Sequence, residues 1–250
     1  MTQFSDALKT WRKARRYSQL ELAHEADVSS RHLSFLETGR ANPSRDMIQK
    51  LGEALSLPLA VRNQMLAQAG FAARYPQRDW SSDDMAPIRE AVDYMLRQHA
   101  PYPAIAVDRH WTILQMNKPA ELLLGMIGAR VGLSLLDLVL DRSVQEMIEN
   151  WPEVARHTAQ RLRVESASRG GDPRLEAAIE ELSKFPTPAS EIVGPVIPTV
   201  YRAGEMRLSL FTTIAQFGTP EDLALDDLKI ELFFPADGDT AAALAALGES

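Results

Sequence analysis

The twenty residues 19–38 constrain the fold most, because they predict two short helices joined by a tight turn. Ser18 is a candidate N-cap for the first helix, and Glu21 stands three residues later, where a capping box requires an acidic or amide side chain. Asp27 occupies the turn, where a residue that tolerates a left-handed backbone is needed. Ser29 is a candidate N-cap for the second helix. These signals predict one helix on each side of the turn.

The apolar residues of this segment fit two helices that cross closely. Ala23 provides a small side chain where the helices cross, and Val28 fills the turn. Leu33 and Leu36 are three residues apart and therefore share one face of the second helix. Gly39 follows this helix and suits a left-handed C-terminus. The segment is therefore predicted to be a helix-turn-helix, the alternative being a helical hairpin with no role in DNA binding.

Further short helices are predicted on both sides of this motif. The predicted helices are Asp6–Arg16, Gln19–Glu25, a helix that starts after Ser29, Arg45–Leu55 and Ala60–Ala69. Residues 1–74 are therefore expected to form an all-α domain of five helices. Residues 75–87 contain two prolines and three aspartates without periodicity, and they are predicted to be a linker.

Residues 88–250 mix strand-like and helical segments and are predicted to form an α+β domain with an antiparallel sheet. The predicted strands are 103–107, 111–116, 198–202, 206–216 and 229–234, the first two forming a hairpin. The predicted helices are 88–99, 117–125, most of 133–163 with a break at Pro152, 174–184 and 240–247. Residues 219–227 are expected to form a loop.

Composition excludes several classes of protein. The chain has no cysteine, which excludes disulfides and thiolate metal sites. No histidine cluster with metal-ligand spacing, nucleophile motif, phosphate loop or dinucleotide fingerprint is present, so we expect no enzyme activity, no metal and no cofactor. The N-terminus lacks a signal-peptide pattern and no apolar run reaches the ~20 residues that span a bilayer, so we expect a cytoplasmic protein with no membrane partner.

The charge is divided unevenly along the chain. Residues 1–80 contain 12 Lys and Arg against 8 Asp and Glu, a net charge of +4. The remaining residues carry a net charge of −11, which gives the total of −7. A basic N-terminal region on an acidic chain suggests that only this region contacts a polyanion.

The N-terminal region resembles the Cro/C1-type, or XRE-type, helix-turn-helix domain with a five-helix lambda-repressor-like fold. The resemblance rests on residues 28–40, VSSRHLSFLETGR, and on Asn42-Pro43-Ser44-Arg45, a version similar to that of MmyB-like regulators. In that family a PAS-like ligand-binding domain follows. The segments YPAIAVD at 102–108, WTILQMN at 111–117 and FFPAD at 233–237 agree with this resemblance. It implies a DNA-binding transcription regulator, and analogy suggests a repressor.

In such domains the second helix of the motif enters the major groove and presents its N-terminal residues to base edges. The candidate DNA contacts are Gln19, Ser29, Ser30, Arg31, Ser34, Phe35, Arg40, Asn42 and Arg45. Arg31 is the best candidate for specificity, because a guanidinium can bond guanine O6 and N7 together. Phe35 either contacts a thymine methyl or packs on the next helix. Gln19, Arg40, Asn42 and Arg45 are expected at phosphates, and a homodimer on a pseudo-palindromic double-stranded operator is expected.

The resemblance also implies a small apolar ligand, since MmyB-like proteins are thought to bind fatty-acid-like molecules in the C-terminal domain. The candidate ligand contacts are Ile105, Trp111, Met116, Leu123, Met147, Trp151, Tyr201, Arg202, Phe211 and Phe217. Tyr201, Arg202 and Arg109 are the candidate partners of a carboxylate head group. The alternatives are that these apolar residues only fill a core, and that the domain binds a protein, as in an antitoxin.

Overall fold

The computed structural model describes residues 3–185 and 196–248 of the 250-residue chain. The outermost ends of the two predicted domains, residues 1–2 and 249–250, lie outside the described residues. The chain divides into two compact units. The first is built on residues up to Gln77 with the short segments Ser168–Gly170 and Glu221–Leu223, and the second on the other residues from Arg78 onward. No described helix combines the length and the apolar composition that crossing a membrane would require.

Five helices form the first unit, as the sequence predicts. They are α1 Gln3–Ala14, α2 Gln19–Glu25, α3 Ser30–Glu37, α4 Arg45–Ala54 and α5 Leu59–Gln68. Their apolar faces meet in one core, and its most completely buried members include Leu8, Leu22, Leu33, Leu36 and Leu51. Burial of such faces provides most of the stability of helices that are only two or three turns long.

The local signals around the α2–α3 turn are confirmed. The Ser18 hydroxyl accepts from Glu21 N at 3.1 Å, and Ser18 N donates to the Glu21 carboxylate at 2.7 Å, which completes the capping box. Asp27 has a φ of 52° and Gly39 a φ of 71°, the left-handed conformations that the turn and the helix end require. Ala23 lies buried where α2 packs on α3.

The segment 75–87 begins with a residue that is attached to α5. Asn63 on α5 donates to Tyr75 O at 2.7 Å and accepts from Tyr75 N at 3.1 Å, and Tyr75 is buried. A single 3-10 turn, Asp83–Met85, follows later in the segment. The predicted linker therefore contains ordered contacts at its first residue and near its end.

The second unit contains a sheet and helices on both of its faces. The strands are β1 Ala104–Val107, β2 Ile113–Met116, β3 Thr199–Ala203, β4 Met206–Ala215 and β5 Lys229–Pro235. The helices are α6 Ala86–Gln98, α7 Lys118–Gly125, α8 Leu135–Leu140, α9 Arg142–Glu146, α10 Trp151–Ser168, α11 Pro173–Leu182, α12 Leu223–Asp226 and α13 Gly238–Gly248. The sheet order is β2-β1-β5-β4-β3, and each neighbouring pair is antiparallel. This is the α+β PAS-like architecture that the sequence predicts.

Strand alternation gives the sheet two covered faces. One face carries Ile105, Val107 and Phe233, which join the large core with α7, α8, α10 and α11. The other face carries Ala104, Ala106 and Ile230, which pack against Val92 and Leu96 of α6. We call these the core face and the α6 face. Because both faces are covered, all four residues of β1 are buried.

The break predicted at Pro152 lies just before this residue, at residues 147–150 between α9 and α10. Pro152 itself is the second residue of α10, where the missing N–H costs no intrahelical bond. The loop predicted for residues 219–227 is wrong in part, because α12 lies within it.

Candidate functional site

The start of α3 is exposed in the structure. The Ser29 hydroxyl accepts from His32 N at 3.1 Å and so caps the helix, while Leu33 and Leu36 hold the opposite face in the core. Ser30 and Arg31 are exposed, and Ser34, one turn later, is half-buried. A capped helix start with exposed polar side chains is the arrangement that a major groove can accept.

Phe35 lies beside Arg31 on α3. The Arg31 guanidinium carbon is 5.4 Å from the centre of the Phe35 ring, a cation–π distance, and Phe35 is half-buried. The ring thus borders the candidate base-reading residue, and both interpretations of Phe35, thymine contact and packing, remain predictions.

Glu37 joins three helices beneath this surface. Its carboxylate accepts from Arg12 Nε at 2.5 Å, from Arg12 Nη2 at 3.0 Å and from Gln19 Nε2 at 2.7 Å. Burial alone would raise the pKa of Glu37, but the hydrogen bonds from Arg12 and Gln19 outweigh it and hold the pKa below its usual value. Arg12 and Glu37 therefore form an ion pair between α1 and α3. One N–H of the Gln19 amide is therefore directed at Glu37.

The residues after α3 provide further polar groups. Arg40 and Asn42 are exposed in the turn, and Arg45 is exposed at the start of α4. The Arg45 guanidinium donates to Ala72 O at 2.7 Å, a backbone contact within the same unit. Arg40 and Asn42 are thus exposed within a few residues of α3.

The second unit contains a cavity of about 200 Å³, partly open to solvent, between the core face of the sheet and the helices over it. Its apolar lining consists of Trp111, Leu124, Ile127, Leu135, Val139, Val144, Ile148, Trp151, Val154, Ile197 and Phe233. Its polar lining consists of His157, Thr158, Arg161, Thr199, Tyr201, Thr212 and Glu231. A predominantly apolar hollow with a few polar groups is typical of a small-molecule site.

Arg161 is one of the seven residues of this polar lining, which we call the polar wall. Its guanidinium carbon lies 4.2 Å from the centre of the Trp111 ring, and its nitrogens pair with Glu165 at 2.9 Å and with Glu231 at 2.5 Å. Glu165 also accepts from Trp111 Nε1 at 3.1 Å and pairs with Lys229. Trp111 therefore stands within a network of four charged side chains.

Burial changes the protonation of groups at this wall. Burial raises the pKa of the Tyr201 hydroxyl to about 12, with a further contribution from Glu231, so that this hydroxyl is neutral at physiological pH. Burial also lowers the pKa of His157, and the neighbouring Arg156 charge lowers it further, which favours a neutral imidazole. Burial would raise the pKa of Glu165, but Lys229 and Arg161 lower it below the usual value and favour the carboxylate.

The structure brings some of the predicted ligand residues together. Trp111, Trp151 and Tyr201 line the cavity. Leu123, Met147 and again Tyr201 line a smaller apolar hollow of about 30 Å³, which shares Leu124 and Ile127 with the cavity. These residues come from elements far apart in sequence, and they lie together at the core face of the sheet.

Other predicted ligand residues lie elsewhere. Ile105 and Met116 belong to the large core without lining the cavity. Phe211 stacks on Phe234 on the α6 face, since its strand neighbour Thr212 faces the cavity and successive side chains alternate. Phe217 packs with the α6 cluster.

The predicted head-group candidate Arg202 is an exposed surface residue. Its guanidinium pairs with Glu149 at 2.9 Å, and the same carboxylate accepts from Arg207 at 3.2 Å. Arg202 does not line the cavity, because its neighbour on β3, Tyr201, does and successive side chains of a strand alternate.

Sequence reasoning missed the four charged residues around Trp111. Arg161 and Glu165 are four residues apart on α10, and Lys229 and Glu231 alternate within the strand β5. Charged side chains at alternate positions of an otherwise apolar strand were a usable signal, because they place two charges on the same face.

Comparisons with known proteins agree with both units. Residues 8–61 match the family described as "Helix-turn-helix", and residues 88–247 match "MmyB-like transcription regulator ligand binding domain". No curated protein matches the chain significantly.

Among solved structures, the chain is similar to one titled "Structure of an RNA-binding Light-Oxygen-Voltage Receptor", with 11% identity and a TM-score of 0.24. The match covers 100% of this chain and 63% of that chain, so this chain spans less than two thirds of the other protein. A TM-score this low supports no conclusion about fold or function. The two family matches do support a conclusion about fold and function. The chain belongs to the MmyB-like transcription regulators and is a DNA-binding regulator with a ligand-binding domain.

Proposed function

We propose that this regulator is a cytoplasmic repressor, without enzyme activity, that binds its operator as a homodimer. Its affinity for the operator is changed by a small, largely apolar ligand that resembles a fatty acid in having a hydrocarbon body. The observation that carries the proposal is the exposed, capped start of α3 in a chain that also encloses a largely apolar cavity.

The residues that contact bases lie in the first two turns of α3. Ser30, Arg31 and Ser34 lie on the side of α3 away from the buried Leu33 and Leu36. A helix that enters the major groove by its N-terminus brings these side chains to base edges. Arg31 carries most of the specificity, because its planar guanidinium matches the two acceptors of guanine.

The phosphate contacts flank this helix. Arg40 and Asn42 follow α3, and Arg45 begins α4 next to its Ser44 cap. Gln19 and the backbone N–H groups at the start of α2 provide a second contact, since helix N-termini bind phosphate. Ser29 stabilises the helix start, and its exposed position allows a backbone contact as well.

The ligand site is the cavity on the core face. Trp111, Trp151 and Tyr201 form its aromatic lining, and Leu123 and Met147 extend the apolar surface into the adjoining hollow. A concave cavity with a mainly apolar lining and a few polar groups favours a small molecule over a protein partner.

The test compares two arginine variants on two duplexes. An operator is first selected from a random duplex library with the wild-type protein, and a scrambled duplex of equal length is the control. Arg31→Ala should weaken operator binding by about 1–3 kcal/mol and leave binding to the scrambled duplex nearly unchanged. Arg40→Ala should weaken binding to both duplexes by similar factors.

Fluorescence anisotropy titrations at fixed salt concentration provide the dissociation constants. Equal losses on both duplexes for Arg31→Ala would contradict its role in sequence readout. Failure of the wild-type protein to select any common sequence would contradict operator binding itself.

A further inference from the structure

The outer side of α6 carries a stripe of exposed residues. Pro87, Ala91, Tyr94 and Gln98 are all exposed, and they recur at intervals of four, three and four residues. This is the spacing at which one helix packs along another, and the first three side chains are largely apolar. Tyr94 is 59% exposed, although aromatic side chains bury large areas when a partner covers them. These four residues, which we call the α6 stripe, are therefore arranged as a surface for a second helix.

The exposed apolar surface continues from α6 onto the sheet. Met95 is 39% exposed and lies one turn before His99, whose ring centre is 4.7 Å from that of Phe234. Phe234 stacks on Phe211 at 5.5 Å, and both rings are half-buried. Because α6 packs on β1 and β2, the part of the α6 face formed by β4 and β5 is left partly exposed. A stable interface buries about 800 Å² on each partner, and α6 with the adjoining sheet provides a surface larger than one helix.

The charges beside the α6 stripe indicate which partner fits it. Glu90 and Arg97 are both exposed and stand seven residues, or about two turns, apart, so they lie on the same side of the stripe. When two copies of α6 pack antiparallel along this stripe, Glu90 of each copy lies beside Arg97 of the other. Parallel copies would instead place Glu90 level with Glu90 and Arg97 level with Arg97. The surface is therefore complementary to itself in the antiparallel arrangement.

The existing contact of Arg97 does not prevent this pairing. Arg97 pairs with Asp93 on α6 at 2.9 Å, and the two side chains are 66% and 44% exposed. An ion pair between exposed side chains contributes little, so Arg97 can bind Glu90 of a second copy without a large loss. Two-fold symmetry forms the new contact twice, which doubles its contribution.

We propose that the α6 stripe and the adjoining part of the α6 face bind a second copy of this chain, with the two α6 helices antiparallel. Tyr94 lies near the centre of this contact, and Glu90 and Arg97 form an ion pair at each end. The inference rests on the proposed homodimer and specifies the surface that forms it.

Charge reversal tests the antiparallel pairing. Glu90→Arg gives a copy with two positive charges beside the stripe, and Arg97→Glu gives a copy with two negative charges. Each variant alone should dimerise at least about tenfold more weakly than wild type, because like charges then meet at both ends of the contact. An equimolar mixture of the two variants should recover dimers of nearly wild-type affinity, since each contact again joins opposite charges.

Sedimentation equilibrium over a concentration series of the full-length proteins gives the dissociation constants, with one variant fluorescently labelled in the mixture. The matched control is the pair Arg142 and Glu146 of α9, which is exposed and spaced by four residues, and α9 packs in the large core on the core face. Arg142→Glu and Glu146→Arg should therefore leave dimerisation unchanged.

A second variant tests the apolar part of the contact. Tyr94→Ala should weaken the dimer by about tenfold, because aromatic residues near the centre of an interface provide much of its affinity. Leu122→Ala removes an exposed apolar side chain of α7 and should leave the dissociation constant unchanged. Both substitutions are at exposed positions, and far-UV circular dichroism verifies that each variant is folded.

The outcomes separate this interface from the dimer itself. A wild-type protein that is monomeric with and without the selected operator would overturn the homodimer and this inference together. A wild-type dimer that Glu90→Arg, Arg97→Glu and Tyr94→Ala all leave unchanged would overturn only the interface and leave the α6 stripe to a different partner. Weakened variants whose mixture stays monomeric would overturn the antiparallel pairing.

Discussion

The Glu37 carboxylate of α3 contacts polar side chains of both α1 and α2. Its side chain is 2% exposed, and that of Arg12 is 11% exposed. The Gln19 amide shares the same carboxylate. Because Arg12 also donates to Tyr17 O at 2.8 Å, loss of the carboxylate would leave a partly desolvated guanidinium with one neutral acceptor. The cost of such a loss is larger than that of a surface ion pair.

Replacing Glu37 by alanine should therefore lower the free energy of unfolding by about 3 kcal/mol. Urea denaturation of the full-length protein, followed by far-UV circular dichroism, measures the change. Glu25→Ala removes an exposed carboxylate of α2 and should stay within about 0.5 kcal/mol of wild type. Equal stabilities of the two variants would show that the Glu37 contacts contribute nothing.

The same residue makes stability depend on pH in a defined direction. Folding lowers the pKa of Glu37 from its ordinary 4.5, so its contribution is fully present above about pH 4.5 and is lost as the pH falls through the lower folded value. Glu37→Gln cannot titrate. The stability difference between wild type and Glu37→Gln should therefore shrink below pH 4.5, and a difference that grows on acidification would contradict this sign.

At the scale of elements, the helices of the first unit could be predicted because their signals are local. The Ser18–Glu21 capping box, the left-handed Asp27 and the Gly39 end lie within a few residues of the helix ends that they define. The predicted bounds of α2 agree with the structure. The break predicted at Pro152 falls at residues 147–150, just before it, because proline disrupts a helix interior but fits a first turn.

The strands were harder to interpret, because the two faces of the sheet are both covered. Phe211 and Thr212 are neighbours on β4, and only the pairing of Thr212 with Phe233 places Thr212 toward the cavity and Phe211 away from it. Apolar character therefore did not indicate which residue lines the cavity. The contacts of Arg161 with Glu231 join residues 70 positions apart, which no local pattern encodes.

At the scale of the whole molecule, the proposed homodimer follows from the small size of the DNA-binding unit. One copy of α3 reads a short stretch of one groove, and two copies on half-sites about 10 bp apart read twice as much. Sedimentation equilibrium at micromolar concentration should give a mass of twice 27.8 kDa. A monomer mass both with and without the selected operator would contradict the dimer.

The two units are connected functionally if ligand and operator change each other's affinity. Such coupling between sites typically amounts to about 1–3 kcal/mol, and by thermodynamic linkage it has the same magnitude in both directions. A ligand that binds the cavity with no effect on operator binding would be a passive occupant. The coupling is therefore the central claim about this regulator.

The most direct test is a closed binding cycle on the full-length protein. The dissociation constant for the selected operator is measured with and without saturating octanoate, an eight-carbon fatty acid, and that for octanoate with and without saturating operator. Both constants should change by the same factor, in the range of about 5- to 150-fold. If octanoate binds and both constants stay unchanged, the account of a ligand-controlled regulator is contradicted.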